Sequence, residues 1–162
     1  MASLTTDDGR MGLTRWRDIA VVCLVAAVAG YLLVRVSYSR IPPLPRLAGL
    51  LAALVGIGEA VAGFGLRRRI RPPAQAAGAP ARRPVEPLTA ARAVMVAKAT
   101  ALAGAALGGL WLGLLGYVLP SWSEFAAARA DGISGFIGLV GAAMMVGGAL
   151  FLERSCLVPE DR

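Results

Sequence analysis

LAGLLAALVGIGEAVAGFGLRRR, residues 47–69, decides how this chain folds. Its first twenty residues, Leu47 to Leu66, are apolar or small apart from one carboxylate, Glu59, and the run stops at three consecutive arginines. At a rise of ~1.5 Å per residue, such a helix is about 30 Å long, the thickness of a bilayer's hydrocarbon core. A helix apolar on every side has no face to offer water. The stretch therefore reads as a membrane span, with its arginines at the interface.

Composition agrees. Apolar residues make up 57% of the chain and charged residues 17%, against roughly 45–50% and about 25% in soluble domains. The net charge of +7 does not point to nucleic acid, because most basic residues flank apolar runs or fill one loop. The chain has no histidine, and its two cysteines, Cys23 and Cys156, have no metal-ligand spacing and sit in contexts that disfavour a disulfide. No metal and no cofactor are expected. No nucleophile–base pair, phosphate loop or acid dyad stands out, so the sequence predicts a protein that is not an enzyme.

Upstream, residues 1–14 form a polar tail without periodicity. Arg15-Trp16-Arg17 is an interfacial anchor, and the apolar run that follows continues past the small-residue trio Ala27-Val28-Ala29. That continuation favours a retained first span, about residues 17–38, over a cleaved leader. Pro42, Pro43 and Pro45 enforce a tight connection to the second span, 47–66. Downstream, 67–88 is rich in Pro, Ala and Arg and reads as a linker. A third span, 89–119, starts near Thr89 and stops at Pro120. Ser121-Trp122-Ser123-Glu124 has the form of a capping box, which predicts a short interfacial helix over about 122–130. The fourth span, 132–152, is twenty-one uncharged residues, and 157–162 are a tail.

The expected fold is all-α, an antiparallel bundle of four transmembrane helices over residues 15–156. Thirteen cations lie in or next to the tail (Arg10, Arg15, Arg17), the long linker and the start of the third span (eight from Arg67 to Lys98) and the C-terminal end (Arg154, Arg162), and four lie in or next to the two short connections. The positive-inside rule then puts both termini and the linker in the cytoplasm. Arg67, Arg68, Arg69 and Arg71 are candidate contacts for anionic headgroups at that face. Small residues one helical turn apart, Gly104/Gly108 and Gly109/Gly113 on the third span and Gly138/Ala142 on the fourth, predict close packing of those spans, within one chain or across a dimer.

Two charges fall inside spans. Glu59 is eight residues before Arg67, ~12 Å along the helix, and Lys98 is six residues after Arg92, ~9 Å. Opposite charges at similar depth suggest an ion pair that docks the second and third helices. A proton or ion relay, or a Lys98 that snorkels and leaves Glu59 alone, are the other readings.

TRWRDIA from Thr14, GYLLVRVSY from Gly30, IPPLPRL from Ile41, PLTAARAVMVAKATALAGA from Pro87 and LERSC from Leu152 together resemble an actinobacterial family of small membrane proteins, domain-of-unknown-function family 3180. The resemblance implies a four-helix integral membrane protein of bacterial origin and transfers no catalytic residue. The reading that results is an accessory or structural component of the bacterial cytoplasmic membrane. Its partners are the lipid bilayer, anionic headgroups, and a second copy or a larger membrane protein, not nucleic acid. The alternative is a small transporter or channel component built on Glu59 and Lys98.

Overall fold

The computed structural model describes residues 15–37, 47, 49–70, 87–123 and 125–156, with residues 69, 70, 87 and 90 described by backbone alone. It contains four helices and no strand among these residues: α1 (Trp16–Ser37), α2 (Leu50–Ile70), α3 (Pro87–Val118) and α4 (Ala126–Ser155). All four are long and apolar enough to cross a membrane. The fold is the expected one, all-α with four spans.

The helices lie in the order α1, α3, α4, α2. The extended interfaces between spans are α1 on α3, α3 on α4 and α4 on α2. Burial follows that order. In the most apolar stretch of each helix, 44% of residues are buried in α3 and in α4, against 22% in α2 and 17% in α1. The two long inner helices form the core, and the outer pair present Leu24, Leu32, Leu51 and Val61 outward.

Glycines set the interfaces. Along α2, Gly49, Gly56 and Gly63 recur every seven residues and meet Ile137–Gly138, Met144–Met145 and Phe151–Leu152 in turn, so α2 and α4 run parallel. Gly141 and Gly148, also seven apart, reciprocate: a methyl group on either would strike the carbonyl oxygen of Gly49 or Gly56. The direction of that absent Cβ is also the direction of a Cα–H bond. The contact is therefore of the Cα–H···O kind, about 0.5–1 kcal/mol each. α1 and α3 are also parallel, with Gly109 and Gly113 against the backbone at Cys23, Ala27 and Tyr31, and Gly30 against Leu110. The central α3–α4 contact is antiparallel: Gly104 faces Val146 and Ala142, Gly108 faces Ala142, and Gly138 lies under the Trp111 indole.

Boundaries depart from the sequence reading in three places. α2 continues through the backbone of its arginine cluster to Ile70, because arginine is a good helix former and its charge can reach outward. α3 begins at Pro87, where a proline at the first helical position gives up only an amide that has no intrahelical partner. Among the described residues there is no separate interfacial helix over 122–130. Leu119–Ser121 form a 3₁₀ turn, Phe125 is extended (φ −126°, ψ 130°), and α4 then runs unbroken from Ala126. Gly132 is not a break between two helices. It leaves room for the Trp122 ring, which a side chain there would strike and which also meets Phe136 edge-on at 6.4 Å. Glu124 and the linker residues 71–86 lie outside the described residues.

Gly148→Val should therefore lower the stability of the detergent-solubilised protein by about 1–3 kcal/mol, the usual cost of overpacking. Gly58→Ala, where nothing lies within 4 Å of the added methyl, should be neutral or slightly stabilising. Thermal unfolding of the two variants side by side measures the difference.

Candidate functional site

Two polar places interrupt the apolar bundle. The first is Glu59, 9% exposed in the middle of α2. It lies one heptad before Leu66, which packs on the apolar cluster formed by Ala97 of α3 with Leu152 and Cys156 at the end of α4. The polar group that meets the Glu59 carboxyl is the Thr100 hydroxyl of α3. Thr100 Oγ1 donates to the Val96 carbonyl at 3.0 Å. Glu59 Oε2 has no hydrogen-bond partner among the described residues.

Lys98 stands two residues from Thr100, roughly 160° around the helix. It is half-buried and itself engaged. Thr100 is the group that sequence reasoning passed over. Its signal was modest: a hydroxyl in an alanine-rich span, at a depth similar to that of Glu59.

The second polar place lies where the apolar stretches of α2 and α4 end. Arg67 and Arg154 line a cavity of about 330 Å³ with Phe151 and Ser155. Arg68 is exposed beside it; Arg69 is described by backbone alone, and Arg71 lies outside the described residues. At this end Ala97, Leu152 and Cys156 form a small apolar cluster. Both cysteines are free, and burial pushes the Cys156 thiol above its ordinary range. At the opposite end Val34, Leu114, Val118 and Ala128 pack with Trp111 and Tyr117. Trp111 is thus a packing ring. Arg35 and Arg129 are exposed near that end, and Asp131 is half-buried and engaged.

A larger groove, about 460 Å³, runs beside the seam between the start of α2 and α4. Leu50, Ala53, Ile137, Val140 and Met144 are among the residues that line it, none of them ionisable. Such a lining suits lipid chains and offers nothing to orient a polar substrate. Among the described residues no three metal-binding side chains converge.

A scan of protein families matches residues 19–160 to one model, described as protein of unknown function (DUF3180). The chain belongs to the DUF3180 family. Searches of curated proteins and of solved structures returned no match. The DUF3180 match covers α1 from Ile19 onward and all of α2, α3 and α4, including Glu59, Thr100 and the arginine-lined cavity. In this DUF3180 chain the four-spaced glycines of α3 serve two neighbours: Gly104 and Gly108 face α4, and Gly109 and Gly113 face α1. The glycines of α2 and α4 that meet across their seam recur every seven residues in the sequence, not every four.

Two measurements check this picture. Glu59→Gln and Thr100→Val, alone and combined, should show a coupling of about 0.5–2 kcal/mol in unfolding, in the range seen for polar pairs between membrane helices. The raised thiol pKa of Cys156 means that the unfolded chain loses its proton first as pH rises. Stability should therefore fall above about pH 8.5. Cys156→Ala should remove that slope, and maleimide should label Cys156 more slowly in the folded protein than in the unfolded one.

Proposed function

We propose that this protein is an accessory component of the bacterial cytoplasmic membrane, without catalytic activity of its own, that packs through its outer helices with a larger membrane assembly or with a second copy. The observation that carries the reading is the unequal burial across the row of helices. α2 is closed against α4 on one side only. Two residues on from Gly56 and Gly63, roughly 160° around the helix, Gly58 and Gly65 have open space beside them, and exposed Ala62 lies between them. Glycine in a helix interior costs roughly 0.8–1 kcal/mol relative to alanine. Glycines that face lipid lose that stability for no contact, whereas a helix docking there would use the close approach they permit. The cation asymmetry supports an orientation with both termini and the linker in the cytoplasm.

In-cell photocrosslinking from position 62 tests the reading. Discrete adducts of one or two masses are expected. Adducts to lipid alone, together with a monomer in repeated native purifications, would overturn it.

The second reading, a transporter or channel component, is favoured by one feature, the buried Glu59 carboxyl with an oxygen left without a partner. Four spans are few for such a role, and the two halves show no inverted repeat. Glu59→Gln separates the readings. Under the accessory reading it changes stability and leaves ion or solute flux in reconstituted vesicles untouched.

A further inference from the structure

Each of the two parallel helices α2 and α4 ends with the same pair of residues three apart: Phe64 with Arg67, and Phe151 with Arg154. Residues at that spacing share a helix face. Close packing of α2 on α4 sets the two pairs side by side, so that Phe64 and Phe151 meet with ring centroids 4.7 Å apart and Arg67 and Arg154 line one cavity. The apolar stretches of α2 and α4 end at Arg68 and Ser155, which puts the cavity at the membrane boundary and the rings one turn deeper.

We propose that this cavity binds the phosphate of an anionic phospholipid, with the first acyl methylenes lying along the Phe64–Phe151 rings. The donors are the two guanidinium groups, whose planar forks suit phosphate oxygens. Ser155 is not one of them, because its hydroxyl already donates to the Phe151 carbonyl at 2.7 Å. No carboxylate lines the cavity among the described residues, and the neighbouring Glu153 is buried and engaged. Both helices end here with their negative poles, roughly half a charge each. Two full cations exceed that, which leaves the cavity lining positive toward a phosphodiester. A free phosphate would use the arginines alone. Phe151 lines the cavity and Phe64, packed on it, is 54% exposed on the outer surface of the bundle; this aromatic edge leading out of the cavity is what assigns the site to a lipid.

Native mass spectrometry of the full chain in detergent tests this, with phosphatidylglycerol and phosphatidylcholine offered in equal amounts and glycerol 3-phosphate as the soluble probe. The expected result is one retained phosphatidylglycerol, at least tenfold preferred over phosphatidylcholine. Retention should fall at least tenfold in R67Q/R154Q and stay within twofold in R68Q. If the double variant does not fold, R67Q and R154Q singly should each lose at least threefold. Equal retention of the two lipids, or unchanged retention in the arginine variants, would overturn the proposal. So would glycerol 3-phosphate binding as tightly as phosphatidylglycerol, which would mark a site for free phosphate.

Discussion

Inside a bilayer an apolar side chain gains nothing by leaving lipid for protein, so helices must be held by how closely their backbones approach. In this chain that approach is a set of glycine seams. The α2–α4 seam is the most regular, with Gly49, Gly56 and Gly63 on one helix interleaved with Gly141 and Gly148 on the other. A seven-residue repeat is the spacing of parallel helices in a left-handed crossing, and both seams between parallel helices depend on there being no Cβ at the contact. Where a large side chain does enter, it lies across a glycine, as the Trp111 indole does at Gly138 and the Trp122 ring at Gly132. The row of four helices follows from where these seams are placed. α3 and α4 each carry glycine contacts to two neighbours, and α1 and α2 each make their extended contact with one.

Most of the architecture was legible in the amino-acid sequence because one property, uninterrupted apolarity over the thickness of a membrane, dictates it. The four spans and the proline stop after α3 need no tertiary information. Lateral order does need it. Gly108 and Gly109 are adjacent in sequence and point about 100° apart, so one serves α4 and the other α1, and a four-residue spacing names a face without naming what covers it. Asp131-Gly132 has the composition of a break, yet it lies within α4. A glycine that admits a tryptophan ring and a glycine that ends a helix look alike until the ring is in place.

The polar site was legible to a similar degree. The depth of Glu59 follows from counting residues to the arginines, and its burial follows from the cost of exposing a carboxyl to lipid. Its neighbour depends on the rotation of α3 about its own axis. Lys98 and Thr100 are two residues apart and close in depth, but they lie on nearly opposite sides of that helix. Apolarity cannot fix this rotation, because α3 is apolar all round; the glycines fix it by turning toward α1 and α4. The hydroxyls of Thr100, Ser134 and Ser155 each return a hydrogen bond to their own helix four residues back. This satisfies them in an apolar setting and explains why they could be overlooked as polar groups.

The parallel seams also set the order in which the molecule can be completed during synthesis. Gly49 and its partner Gly141 are separated by more than half the chain, and α1 and α2, made first, share no extended interface among the described residues. As the chain emerges from the ribosome, the first two spans enter the bilayer with nothing of their own to grip. α1 gains its neighbour when α3 arrives, and α2 waits for the last span. A nascent chain stalled before α4 would leave the grooved side of α2 without its partner helix.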